Sequence, residues 1–294
     1  MLKFSRKKEH TAILCPNCKK LISRDELICP FCNTSNPGSF MKNNPWTQSQ
    51  NSPKVVVDTI VYINVGLYIL SLLLDPASIK LTPQLLSLLS PSSNILGCMG
   101  STGTIPVFGY HRWWTLIAAN YLHGGILHIF FNMMAFRQIS PFVFREFGYH
   151  RTIIIYTLTG VLGMLLSSLA GVRFTIGASA SLCGFIGVIF YYGLSRGGVY
   201  GKAITRQVGS WMLSLVLFGF FIPGINNWAH GGGIVSGFLL GYLLGYNEKR
   251  METLFHKTLA GFLVFLTIGT LIWSVMSGIV WGVTLASHGG IRLG

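Results

Sequence analysis

Asn226-Asn227-Trp228-Ala229-His230 opens a run that continues GGGIVSGFLLGYLLG to Gly245. Its length is near the ~20 residues that a bilayer demands of a helix. Gly233, Gly237, Gly241 and Gly245 recur every four residues and therefore share one helix face. Lipid supplies no hydrophobic drive for helices to associate, so a face of small residues is what lets a neighbouring backbone approach closely. His230 lies about one turn before this stripe, at the start of the span. An ionisable residue there is costly to place and points to function; the competing reading is an interfacial histidine facing headgroups.

The rest of the chain agrees with a membrane setting. Of 294 residues, 51% are hydrophobic and only 10% charged, where a soluble domain carries about 25% charged residues. Seven apolar runs are expected to span: about 55–75, 125–144, 151–171, 177–195, 207–223, 227–246 and 258–284. The loop 76–124 is only partly polar and fits the membrane interface, with Trp113 and Trp114 as anchors. The net charge of +14 is not a nucleic-acid signal, because Lys and Arg sit in the N-terminal segment and in short loops. With the N-terminus in the cytoplasm, inner loops hold Arg145, Arg151, Arg196, Lys202, Arg206, Lys249, Arg250 and Lys257. Outer segments hold only Lys80, Arg112, Arg173 and Arg292. That bias predicts a multi-pass protein of the cell (inner) membrane, N-terminus cytoplasmic and C-terminus outside. No apolar h-region follows the basic N-terminus, so no secretory signal is expected.

The fourth span opens GASASLCGFIG at Gly177. Ser179 stands at its outer end among small residues, a setting for a nucleophile or simply for helix packing. Spans four and six both run from outside to inside, so Ser179 and His230 share a shallow depth, and small residues on both helices permit a Ser–His hydrogen bond. Span two reads HGGILHIFFNMMAF from His123. His128 and Asn132 are one turn apart at the same depth and can donate where an oxyanion develops. The competing reading is two polar groups joining helices. None of the eight acidic residues lies in spans four or six, and only Asp75 falls on the outer side, so a dyad is the economical arrangement. Intramembrane carboxylates and inverted repeats, which a transporter or channel would want, are not seen in these spans.

Residues 1–32 form a separate polar unit in which Cys15-x-x-Cys18 and Cys29-x-x-Cys32 can close a tetrahedral Zn²⁺ site of four thiolates. A pair of redox dithiols is the alternative, but no βαβ pattern surrounds them. With no open coordination position, the metal is structural or serves partner binding, and metal binding stabilises a unit too small for a core of its own. Residues 33–54, rich in Asn, Ser and Pro, read as a flexible linker, 55–284 as the membrane domain and 285–294 as an outer tail.

Across 55–284 the chain resembles the rhomboid intramembrane serine proteases. The carrying residues are Trp113-Trp114, His123 with His128 and Asn132, Gly177-Ala178-Ser179, and Ala229-His230-x-x-Gly233-x-x-x-Gly237. The resemblance implies an all-α six-helix core plus a C-terminal seventh helix, and a water-accessible cavity open to the outside. It implies Ser179 as nucleophile, His230 as base, and an oxyanion hole from His128, Asn132 and the Ser179 N–H, with no cofactor for catalysis. Substrates would be single-span membrane proteins in the lipid bilayer; a protein partner of the zinc unit is a further expectation, and nucleic acid is not expected. The alternative is an inactive rhomboid-like scaffold that binds transmembrane helices. The chain departs from the family at Ala180, usually Gly, and at Cys183, usually Tyr or Phe stacked on the base. It departs again at Trp114-Thr115, usually Trp-Arg, the nearest arginine being Arg112. Aromatics of span five, Phe218, Phe220 and Phe221, are candidates to fill the space left at Cys183.

Overall fold

The computed structural model describes residues 12–16, 20–32, 34–39, 52–76, 79, 88–222 and 224–287. The chain divides into two compact units, Met1–Val56 and Val57–Gly294.

The first unit is a two-stranded antiparallel hairpin. Strands β1 (Ala12–Leu14) and β2 (Leu21–Ser23) pair Ile13 with Ile22 and Leu14 with Leu21. Alternation along the strands turns Ile22 inward against Cys15 and Cys29, and Ile13 and Cys32 complete the cluster. The fold continues past residue 32 into the stretch expected to be linker. The Cys29 N–H donates to Thr34 O (2.9 Å) and Asn36 N–H to Leu27 O (2.6 Å). Asn36 adopts φ 44°, a left-handed turn that asparagine tolerates, and this sends the chain back onto the second cysteine knuckle. Residues 40–51 lie outside the described residues, as do the expected tail from residue 288 and Lys80.

The second unit is all-α and integral to the membrane. Its long helices are α1 (Pro53–Leu73), α4 (Ile126–Phe147), α5 (Tyr149–Leu169), α6 (Ser179–Arg196), α7 (Gly198–Phe221), α8 (Asn227–Leu244) and α9 (Leu254–Ser287). Short helices α2 (Ser93–Met99) and α3 (Thr115–Ala118) lie in the first loop. Helix α4 starts where Gly124-Gly125 predicts. Helix α7 begins at Gly198 instead of about 207, because Gly197 and Gly198 take φ 66° and 63° and reverse the chain at once after α6. Helix α9 likewise begins four residues before the expected 258.

By length and hydropathy, α1, α5, α7 and α9 can each cross a bilayer unaided. The other three long helices are the ones that carry His128 with Asn132, Ser179 and His230. Helix α6 explains why a less apolar sequence suffices there. From Ala180 to Ile189 each of its residues is buried, so protein replaces lipid around it. Small residues make that burial close. Gly237 of α8 lies against the Gly184 carbonyl, Gly187 against the Ile234 carbonyl, and Gly184 against the Thr159 side chain of α5. Backbones meet here without intervening side chains, the contact that dispersion rewards when hydrophobicity cannot.

Candidate active site

Ser179 is the first residue of α6. The first backbone N–H groups of a helix lack intrahelical acceptors, so the Ser179 amide is available to an anion. Gly177, two residues earlier, has φ 120°, a conformation that side-chain-bearing residues rarely adopt. A Cβ built at Gly177 would stand 2.6 Å from His128 Nε2 and 3.7 Å from Ser179 Oγ. The imidazole and the hydroxyl therefore face one small space that only glycine leaves open.

The tautomer of His128 follows from its partner. The Gly124 N–H donates to His128 Nδ1 (3.4 Å), which leaves the proton of the neutral ring on Nε2. Nε2–H is then a donor aimed at the space beside Ser179. Asn132 is 7% exposed, and one of its two amide protons donates to the His128 carbonyl a turn earlier (2.8 Å), leaving the second for a ligand. His123 is fully buried, its ring 5.0 Å from that of His128 at 65°.

Ala180 and Ala229, the neighbours of Ser179 and His230 in sequence, belong to one buried cluster with Val107, Leu116, Ala119 and Met164. Gly233 lies against the Ala180 carbonyl, so α6 and α8 touch one residue past Ser179 and three past His230. Among the described residues no hydrogen bond joins Ser179 to His230, and His230 Nδ1 is buried without a partner. Such bonds are commonly long before substrate arrives.

Two of the family departures have a structural answer. The Arg112 guanidinium lies 4.8 Å over the Trp114 ring and donates to Cys98 O (3.1 Å), so the arginine absent from position 115 is supplied from the other side of the tryptophan. Thr115 instead donates to Thr102 Oγ1 (3.0 Å) and Arg112 O (2.7 Å). Cys183 is 2% exposed, and its Cβ would lie 3.0 Å from a Cβ at Gly233. The close approach of α8 itself occupies the space left at Cys183. The candidate fillers do not reach it: Phe218, Phe220 and Phe221 are 57%, 78% and 80% exposed, because α7 presents that face to lipid.

Sequence reasoning missed Asn226. Its Oδ1 accepts from Ala229 N–H (3.1 Å), capping α8, while its Nδ2 donates to Ser167 Oγ (2.6 Å) and Thr175 Oγ1 (2.8 Å). One side chain thus ties the start of the His230 helix to the end of α5 and to the segment leading into Ser179. An asparagine just before an apolar run is an N-cap signal, although its two outward bonds are not visible in sequence. The first loop is tied to the same segment. Thr102 and Thr175 exchange backbone hydrogen bonds, and Gly177 N–H donates to Ala119 O (2.8 Å).

In the first unit the Sγ atoms of Cys15, Cys29 and Cys32 all lie within 4.8 Å of one another. Cys15 and Cys32 are 3.6 Å apart, near the sulfur–sulfur spacing across a tetrahedral thiolate centre with bonds of about 2.3 Å. Cys18 lies outside the described residues.

Fold and site together define a multi-pass helical membrane protein with Ser179, His128 and His230 near the starts of three of its long helices. The chain belongs to the rhomboid family: residues 110–247 match the Rhomboid domain. It is 33% identical over 159 residues to RHOMBOID-like protein 4 of Arabidopsis thaliana, covering 53% of this chain and 40% of that one. It is 30% identical over 197 residues to Rhomboid protease GluP of Bacillus subtilis (strain 168), covering 62% and 38%. A third relative, Putative rhomboid protease YdcA of the same bacterium, is 30% identical over 146 residues, covering 47% of this chain and 71% of its own length. The chain spans about half the length of the plant relatives it matches.

Proposed function

We propose that the chain is an intramembrane serine endopeptidase acting on single-span membrane proteins, with Ser179 as nucleophile and His230 as general base. The observation that carries this reading is the shared space at Gly177, faced by Ser179 Oγ and by His128 Nε2, beside a helix that bears His230. In the reaction, Ser179 Oγ attacks the scissile carbonyl and gives its proton to His230. The tetrahedral oxyanion is stabilised by the Ser179 N–H, His128 Nε2–H and the second amide proton of Asn132. His230 then protonates the departing amine, and water, deprotonated in turn by His230, releases the acyl chain from Ser179. Cutting within the bilayer requires the water to come from outside, which the shallow position of the helix starts supports.

The same reading places the N-terminus in the cytoplasm and the C-terminus outside, from the distribution of Lys and Arg. It makes the first unit a structural zinc site of Cys15, Cys18, Cys29 and Cys32, separated from a membrane domain near 55–284. Zinc would hold the hairpin folded and takes no part in catalysis.

An alternative, an inactive helix-binding scaffold, draws on the missing Ser179–His230 hydrogen bond among the described residues. A fluorophosphonate probe separates the two. Labelling of detergent-purified protein that is abolished by Ser179→Ala and by His230→Ala supports the protease. Folded protein that takes no label, or labelling that persists in Ser179→Ala, overturns it.

A further inference from the structure

Helix α9 lies beyond residue 247, where the Rhomboid domain match ends, yet it packs on the loop that holds His123. Its buried residues His256, Ala260, Leu263, Thr267, Ser274, Gly278 and Gly282 recur at intervals of three, four and seven, which places them on one helix face. Two hydroxyls stand on that face, one heptad apart. The Ser274 hydroxyl donates to the Met99 carbonyl at the end of α2. Thr267, 8% exposed and donating to Leu263 O (2.8 Å), lies beside the buried side chain of Tyr121. A Cβ at Gly278 would lie 2.7 Å from Met99 Cγ, so the missing side chain is what lets the loop seat on α9.

Both residues stand against parts of the first loop that lead to the candidate site, Ser274 by a hydrogen bond and Thr267 by its place beside Tyr121. Tyr121 is two residues before His123, whose ring packs on His128. Ala119, two residues before Tyr121, accepts the Gly177 N–H. Met99 precedes Gly100, which is packed against the Trp114 ring. A shift of Tyr121 therefore moves both walls of the space beside Ser179.

We propose that Thr267 and Ser274 are positioning residues: through Tyr121 and Met99, helix α9 fixes the first loop and with it the His128 donor. The proposal rests on the serine-protease reading for its kinetic arm, and its second arm is independent of activity. Full-length protein would be prepared as Thr267→Val, Ser274→Ala, the double variant and Thr267→Ser, in detergent, with a fluorescent transmembrane model substrate. Since displacement of a reacting group by about 1 Å can cost ~10²-fold, the double variant is expected to lose roughly 10- to 10²-fold in kcat. KM should stay within about two-fold and Thr267→Ser should restore turnover. Hydrogen exchange of residues 96–102 and 118–125 is expected to quicken in the double variant while that of α6 and α8 stays unchanged. Unchanged exchange in both loop segments overturns the proposal whether or not the protein cleaves. Quickened loop exchange with wild-type kcat shows that α9 holds the loop without positioning the donor, and overturns it too. If wild-type protein is inactive while the loop exchange quickens, the serine-protease reading is what fails, and the bracing of the loop by α9 stands.

Discussion

Gly237 of α8 presses on the backbone carbonyl of Gly184 of α6, with no room between them for a methyl group. The obstacle is backbone, which cannot swing aside as a side chain can. Gly237→Ala is therefore expected to destabilise the protein by about 1–3 kcal/mol, the range for overpacking, and to lower activity by separating the Ser179 and His230 helices. Gly231, next to His230, has open space where a Cβ would go, so Gly231→Ala should leave stability within about 0.5 kcal/mol. Thermal unfolding in detergent checks the pair, and equal effects would contradict the packing described.

The oxyanion assignment divides by kinetics. Removing one donor typically lowers kcat about 10²–10³-fold, and that loss is expected for His128→Ala and Asn132→Ala with KM little changed. A raised KM at constant kcat would make them binding or packing groups. Ser181 is the control. Its hydroxyl donates to Asn120 Oδ1 (3.2 Å) inside the core, so Ser181→Ala should cost about 1 kcal/mol of stability and keep its turnover.

Position 183 is a departure from the pattern of the family that the chain resembles. Cys183 is buried and packed beside Gly233, so an aromatic ring has no vacancy to fill. Cys183→Phe and Cys183→Tyr are expected to lower both Tm and kcat, with a stability loss of about 1–3 kcal/mol from overpacking. A faster enzyme would show that the space beside His230 is open.

Metal analysis of freshly purified protein is expected to return about one zinc per chain, as four thiolates bind one ion. Cys15→Ser or chelation should unfold the first unit and leave the helical signal of the membrane unit intact. Deletion of residues 1–54 should leave cleavage in detergent unchanged. Protein with no zinc would remove the four-thiolate site.

Glu252, in the turn between α8 and α9, accepts from His150 Nδ1 (2.9 Å) and from the Arg151 N–H (2.9 Å). Burial pushes its carboxyl up, but those bonds and the nearby charges outweigh burial and hold it below the usual carboxylate range. A depressed native pKa means that its stabilisation is complete above the unfolded value of about 4.3 and is lost as pH falls through the native value beneath it. Glu252→Gln should lower stability at pH 7 by on the order of 1–3 kcal/mol, and the gap between variant and wild type should close below about pH 4. A gap that stays constant down to pH 3 would show that the carboxylate charge contributes nothing.

Much of this protein follows from the linear chain alone. Helices α1, α5, α7 and α9 are legible because a bilayer imposes ~20 apolar residues on a span, and each is long and apolar enough to cross by itself. The glycine period of α8 and the small residues around Ser179 are legible because they lie on single helices of fixed geometry. The four-cysteine spacing is legible for the same local reason. What tertiary structure alone decided lies between segments far apart in sequence. Thr102 meets Thr175, Asn226 bridges Ser167 and Thr175, and Ser274 reaches back to Met99. The occupant of the space at Cys183 was likewise settled by α8 and not by the phenylalanines of α7. Periodicity fixes which face a residue occupies on its own helix, but not which neighbour that face meets, because that depends on how all the small-residue surfaces close together at once.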